Sequence, residues 1–538
     1  MQEHVNKRSG GAILSVLVCS TLVWLLLGSP SSGINDADVY LVYAQNFLSG
    51  HGLVYNIGGE PLEGVPSLLW MLVCSLVYIF SYTAEVPLFL LNLLFGIITV
   101  YICLKRCAQK PAFLLLLCAA PAWFAWSQIA MVESGLWCLL LTASILAVSE
   151  RNISRSTWLL VLLALARPES MLWGCWLILV LFAGLGMDQG WRVGLRAVFR
   201  PLFTFGITWT VLVLFRGLYF GSVLPGSSGT QVNIGAGTLY FLGYLFSNPS
   251  VLLAVSVFGW VCVREVRRKR GLSPVLAVCI CLLPGLAIPL MAGDTSFRAF
   301  RHYQPLWPLL CLVTAWAIPL LYERQHRLVR RLAPVVLLLA GWMGFALSPH
   351  LKHEFDIARQ SREQGSVLAR MFEEHAALPS VGAMSAGGCK YGYPGRVYDL
   401  KGLAIATRDQ NKSQPLFNQG LPDEGFPDIL IRSESDAFDR QVFRELRSEP
   451  QFRKRYIKGE LWYNDEILIA YFSRRFLNGL EDGHYAFSQD LQYALSVEDT
   501  PDLSDAVSDE ALVSGLSAHD QGAPTLDFPS LWSPPPSL

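Results

Sequence analysis

Charge is scarce in this sequence: 16% of its 538 residues are Asp, Glu, Lys or Arg, against 52% that are hydrophobic. Soluble domains carry about 25% charged residues, so the deficit excludes an ordinary soluble chain. With a positive mean hydropathy, it points to a polytopic membrane protein. An excess of either sign is missing too. The 42 basic and 42 acidic residues cancel, the basic clusters fall in short loops between apolar runs, and no nucleic-acid partner is indicated. Cysteines at metal or disulfide spacing are also absent. Eleven of the twelve, Cys19 to Cys311, lie in or beside apolar runs, and only Cys389 falls in the polar C-terminal third. They read as small core hydrophobes.

What the chain has instead is a series of apolar runs, and a bilayer crossing needs about 20 such residues. Candidate spans lie near 12–28, 66–81, 87–104, 111–126, 136–149, 157–168, 170–186, 201–219, 248–264, 274–291, 303–322 and 333–348. The first follows a short basic head, Lys7 and Arg8, and reads as a retained signal anchor; a cleaved signal peptide is the alternative, poorly served by Pro30. Arginine-rich loops face the cytoplasm: Arg192, Arg196 and Arg200, then REVRRKR (264–270), then RQHRLVRR (324–331). That places 29–65, 220–247, 292–302 and everything after about 349 outside. Twelve crossings would return the C-terminus to the cytoplasm, and KRCAQK (105–110) also belongs inside, so either 66–81 or 87–104 should fail to cross fully.

The expected architecture is a polytopic α-helical membrane module over 1–348, with about eleven transmembrane helices and an external loop at 29–65. A soluble extracytoplasmic α/β domain over 349–500 follows, with strand-like runs at Asp428–Ile431 and Glu466–Phe472. The tail, 501–538, is acidic, rich in serine and proline, and expected to be disordered.

The chemistry should lie on the outer side. INDADVYLVYAQNFLSGHGLVYN (34–56) follows the first span, and Val39, Val42, Tyr43 and Phe47 recur at helical spacing. Residues 37–48 therefore read as an amphipathic helix on the membrane surface, with Asn35 or Asp36 as its cap and Gly50 and Gly52 at its end. Asp36 and Asp38, two apart, should face different ways. On the same side fall Glu133, the pair Arg167 and Glu169 at a proline-broken helix, and Asp294, Arg298 and Arg301 in AGDTSFRAFRHYQP. Ionisable groups at membrane depth usually mark function. They could be ion pairs that lock helices, or arginines that bind phosphate beside a carboxylate general base.

The segments NDADVYLVYAQNFLSGHGLVYNIGGEPLEGVPSLLW, VESG (132–135), ARPES (166–170), FRGLYFGSVLP (215–225), GDTSFRAFRHYQPLWP (293–308) and GGCKYGYPGRVYDLKGL (387–403) run in an order that resembles bacterial GT-C glycosyltransferases, most of all the mycobacterial terminal arabinofuranosyltransferase family. The resemblance covers about residues 10–405 and implies a GT-C fold. It further implies transfer of a sugar, best guessed as arabinofuranose, from a polyprenyl-phosphate donor to a hydroxyl of a cell-envelope glycan or protein. The reaction would run at the outer face of the bacterial inner membrane. It carries catalytic roles to Asp36 and Glu133. Substrate contacts pass to Asn35, Asp38, His51, Glu63, Arg167, Glu169, Asp294, Arg298, Arg301 and His302. Two departures matter: the family's acidic pair reads Asn35-Asp36, which puts a divalent cation held by both acids in doubt, and its LPNT-like loop reads LPGS (224–227). A transporter or flippase would show matching broken helices in two halves, and only 167–169 is broken. A polysaccharide polymerase is the other rival; no acid-rich loop is expected directly after its first span.

Overall fold

The structure is a computed structural model. It describes residues 2–59, 61, 63–221, 234–268, 271–292, 300–322, 327–372, 377–400, 426–431, 443, 447, 450–463, 466–482 and 492–495. The LPGS loop, Asp294, Arg298 and the tail 501–538 lie outside them.

Helix α1 (Gln2–Leu26) leads through a turn at Gly28 into α2 (Asn35–Leu48), the helix of the opening motif. Helices α3 (Leu68–Phe80) and α4 (Glu85–Leu104) follow. The run at 111–126 is not one span: it divides into α5 (Lys110–Cys118) and α6 (Pro121–Ile129), because Pro121 starts a new helix rather than continuing the old one. Helix α4 is long and apolar enough to cross a membrane, whereas α3, with 13 residues, is short for a full crossing.

Helices α7 (Ser134–Ser149) and α8 (Ile153–Ala166) come next, and α8 stops where Arg167 turns extended before Pro168. The chain resumes as α9 (Ser170–Gln189), turns at Gly190, and continues as α10 (Trp191–Tyr219). Helix α11 (Ile234–Phe246) lies within 220–247, where the sequence predicts an external loop; 13 residues are too few for a full crossing. Then come α12 (Pro249–Arg267), α13 (Pro274–Ala292), α14 (Trp307–Tyr322) and α15 (Arg327–Ala346). Exposed leucines, valines and phenylalanines along α3, α4, α9 and α10 would be untenable in water and suit lipid. The chain is a multi-pass membrane protein.

From Pro349 the composition changes and so does the structure. Helix α16 (Pro349–Met371) and the short α17 (Ala386–Gly392) pack on each other and on α2. Beside them a six-stranded sheet forms from β1 (Val381–Ala383), β2 (Val397–Asp399), β3 (Ile429–Ile431), β4 (Tyr456–Tyr463), β5 (Glu466–Ser473) and β6 (Gln492–Leu495). Its order is β2-β1-β3-β5-β4-β6, with β1 parallel to β2 and β3 and the remaining pairs antiparallel. The strand-like runs read from sequence are β3 and β5.

Helix α2 differs from expectation. A helix lying on a membrane surface would bury one stripe. Here Ala37, Asp38, Tyr40, Leu41, Val42, Tyr43, Ala44 and Asn46 are all buried, because α3 covers one side while α16 and α17 cover another. Only Gln45, Phe47 and Leu48, in its last turn, are exposed.

Candidate active site

The start of α2 is docked against the turn that precedes α7. Gly33 makes this contact possible: a Cβ there would stand 2.6 Å from the Ala130 carbonyl oxygen and 2.9 Å from the Met131 Cβ. Met131 itself is left-handed, with φ +58°, a conformation that costs a side-chain-bearing residue free energy and persists only where packing enforces it. That turn delivers Glu133 beneath Asp36.

Neither Asn35 nor Asp36 caps α2. The cap position is Ile34, which offers no side-chain hydrogen bond. The Asn35 side-chain oxygen instead accepts from the Gly388 N–H of α17 at 3.1 Å. Asp36 accepts from Arg301 Nη1 at 2.6 Å. The capping reading fails because both side chains are taken by tertiary partners.

Arg301 is the hub. Its Nη2 donates to Glu133 at 3.0 Å, so one guanidinium bridges α2 and the N-terminus of α7. Glu133 also accepts from Arg167 Nη1 at 2.6 Å, and Arg167 forks onto both oxygens of Glu169, at 3.1 and 2.8 Å. The Tyr40 hydroxyl of α2 accepts from the Ser67 N–H at 3.1 Å. The break read from the sequence at Arg167-Pro168-Glu169 thus frees an arginine to reach the centre of the cluster. Charged groups here need this mutual satisfaction, since burying any of them alone would be prohibitive.

Burial separates the roles. The Glu133 side chain is 0% exposed, Arg301 8% and Asp36 36%. Asp36 is the carboxylate that a ligand can reach, whereas Glu133 lies under the two guanidiniums and holds them. The resemblance carries catalytic roles to Asp36 with Glu133 as a supporting acid, and the structure brings both carboxylates onto Arg301. Arg167, Glu169, Arg301 and His302 line one cavity of about 30 Å³ with Trp137 and Trp173. Arg301 Nε is buried and without a hydrogen-bond partner among the described residues.

The segment that carries Arg301 is held from outside the cluster. Phe300 is left-handed, with φ +50°, and it and Tyr303 pack on Tyr240 and Tyr244 of α11, with Tyr244 and Tyr303 stacked at 4.3 Å. Sequence reading missed this support because α11 looked like loop.

The remaining candidates sit elsewhere. Asp38 points away from Asp36, as their spacing requires. It is buried against Arg362 of α16, which also donates to Glu85 at 2.8 Å and lies 4.2 Å over the Tyr391 ring. Burial pushes the Asp38 carboxyl up to about 6 in spite of Arg362. Asp38 therefore locks α2 to α16 rather than meeting a substrate. Glu63 pairs with Arg216 of α10 at 2.8 Å. His51 is exposed just beyond α2. Arg362 was not singled out from the sequence, since α16 carries many charges and nothing marks that one. Arg216 had a signal, a charge inside the apolar run 201–219.

Replacing Arg362 by Ala would leave Asp38 buried without its counter-charge, a loss of about 3–5 kcal/mol. The variant should melt well below the wild type in detergent, while Asp38→Asn with Arg362→Met together recovers part of the loss.

The residues do not form a paired-acid metal site. Asn35 faces Gly388 and Asp36 faces Arg301, and among the described residues no three His, Cys, Asp or Glu side chains converge.

No protein-family model matches the chain, and no curated protein sequence matches it. Among solved structures it is similar to ArnT from Cupriavidus metallidurans bound to undecaprenyl phosphate: TM-score 0.52, 14% identity, covering 86% of this chain and 98% of that one. The apo state of the same protein gives 0.51 and 13% over the same shares. The arabinosyltransferase EmbB from Mycobacterium smegmatis aligns at TM-score 0.35 and 15% identity, over 69% of this chain and 33% of that one. The likeness to ArnT extends over nearly all of that protein. The architecture shared with ArnT is a helical membrane module followed by a small α/β unit.

Proposed function

We propose that the protein is an integral membrane glycosyltransferase that takes a sugar from a polyprenyl-phosphate donor and passes it to an acceptor hydroxyl. The observation that carries this reading is Asp36, a reachable carboxylate bonded to a buried arginine. Arg301 also lines a cavity and keeps one buried N–H donor without a partner among the described residues. ArnT, whose architecture this chain shares, binds undecaprenyl phosphate; a lipid phosphate is therefore the natural ligand to test.

The chemistry follows from the pairing. A guanidinium's planar fork suits phosphate oxygens, and an incoming donor phosphate would compete with Asp36 for Arg301. Asp36, released, takes the proton of the acceptor hydroxyl as its oxygen bonds to the anomeric carbon. The bond from that carbon to the phosphate oxygen breaks, and the electron pair leaves on the phosphate beside Arg301. Glu133 and Arg167 stay paired throughout and keep Arg301 in place.

In its finer form the reading is arabinofuranose as the sugar, a cell-envelope glycan or protein as acceptor, and the periplasmic face of the inner membrane as the location. The motif order in the sequence supports each. The test is reconstitution of the protein in liposomes with a panel of polyprenyl-phosphate pentoses and hexoses. Free polyprenyl phosphate should appear only when an acceptor hydroxyl is supplied, and fastest from the arabinofuranosyl donor. No release from any of them would refute the reading.

The orientation is tested separately. Ser49 is exposed at the end of α2. A cysteine placed there should react with an impermeant maleimide added outside intact cells, above the wild-type background. Labelling only after the membrane is opened would put the site on the wrong side.

A further inference from the structure

The pair Glu63–Arg216 is separate from the Arg301 cluster and is built differently. Both side chains are buried, 8% and 4% exposed. Arginine and carboxylate commonly meet through two parallel hydrogen bonds. Here only Arg216 Nε and Glu63 Oε1 meet. Arg216 Nη1 and Glu63 Oε2 are left buried and without hydrogen-bond partners among the described residues. Both residues line one cavity of about 10 Å³, with Tyr43, Met71, Phe215 and Phe220 around them. Unsatisfied buried polar atoms are rare in native proteins and each calls for an explanation.

Their chemistry narrows the ligand. A donor N–H beside an acceptor carboxylate is matched by a group that accepts and donates at once, which a hydroxyl does. A phosphate or carboxylate would face Glu63 with like charge, and an ammonium cannot accept from Arg216. The aromatic and apolar walls suit the C–H faces of a sugar. As it stands the cavity has room for about one water, the usual resident that a sugar hydroxyl replaces.

Asp36, Tyr40 and Tyr43 follow at spacings of four and three, so they share one face of α2. Tyr40 accepts from the Ser67 N–H at 3.1 Å, and Tyr43 accepts from the Gly64 N–H at 3.0 Å. Seven helical residues span about 10 Å, the length scale of two linked sugar rings. The loop over the pocket is fixed to α10 by the Leu53 N–H, which donates to the Tyr219 hydroxyl at 2.9 Å.

We propose that Glu63 and Arg216 form a hydroxyl-recognition subsite for a sugar bound along α2 beyond Asp36. The proposal rests on the glycosyltransferase reading and deepens it. The hydroxyl belongs either to the donor sugar or to the acceptor glycan.

The experiment pairs ligand and protein changes. The full-length protein in liposomes is assayed with two series: donors each lacking one sugar hydroxyl, and acceptors each lacking one. In the wild type, one position should lower kcat/KM by roughly 10-fold or more, since a site built around a hydroxyl rejects its absence. In Glu63→Gln that penalty should collapse while the others stay; the series in which this happens identifies the source. Val65→Phe, which narrows the cavity from its apolar wall and keeps the ion pair, should do the same if Glu63→Gln folds poorly. Wild-type transfer with no position coupled to either variant overturns the subsite and leaves a water-filled pair that ties the loop to α10. Absence of transfer from every donor overturns the parent reading instead. Saturation-transfer NMR with methyl arabinofuranoside still decides the subsite then: signal in the wild type and not in Glu63→Gln supports it, and equal signals refute it.

Discussion

Asp36→Asn should leave a membrane-inserted, normally melting protein that binds donor and transfers sugar at least about 100-fold more slowly, the lower end of what a positioned general base contributes. The reason is local. Asparagine keeps the size of the side chain and can still accept a hydrogen bond from Arg301, so the start of α2 remains docked. What it lacks is the capacity to take a proton from an acceptor hydroxyl, which does not ionise at neutral pH. Asp36 is the more exposed member of its pair with Arg301, and α2 is held independently by Asp38–Arg362 and by Asn35–Gly388. Stability should therefore change little. Single-turnover kinetics in the reconstituted system measure the effect, and a variant turning over near the wild-type rate would reduce Asp36 to a structural partner of Arg301.

Arg301 should behave differently from Asp36 because it has two tasks. Arg301→Lys keeps a positive charge but loses the fork that spans Asp36 and Glu133. It should fold, and bind donor one to two decades more weakly, the roughly 1.5–3 kcal/mol of a charge-assisted contact. Arg301→Ala removes one of the two arginines neutralising a fully buried Glu133. It should lose that affinity and also melt lower, because Arg167 alone then offsets the carboxylate. Titration with polyprenyl phosphate and melting curves separate the two effects. If Arg301→Lys binds the lipid as the wild type does, the phosphate is held elsewhere.

Much of this arrangement could be read before the structure. Long apolar runs report helices because the bilayer imposes both length and composition. The proline at 168 announced the break that lets Arg167 reach inward. Asp36, Glu133, Arg167, Glu169 and Arg301 stand out in the sequence as charges that lipid would not tolerate unpaired. What spacing could not supply was depth. Asp36 and Glu133 look alike in sequence, and only the packing shows that one is reachable and the other lies beneath two guanidiniums. The cap reading of Asn35 and Asp36 failed for a related reason: local propensity was overridden by partners more than 250 residues away, Arg301 and Gly388. Helix α11 escaped because a short apolar run between loops has no length signal, although its tyrosines brace the Arg301 segment.

The reading as a whole depends on a lipid phosphate docking at Arg301. Native mass spectrometry of the wild-type protein, released from nanodiscs after incubation with polyprenyl phosphate, tests this directly. A bound adduct of the lipid's mass is expected in the wild type and in Asp36→Asn, and should be strongly depleted in Arg301→Lys. Equal retention by all three, or none by the wild type, would contradict it.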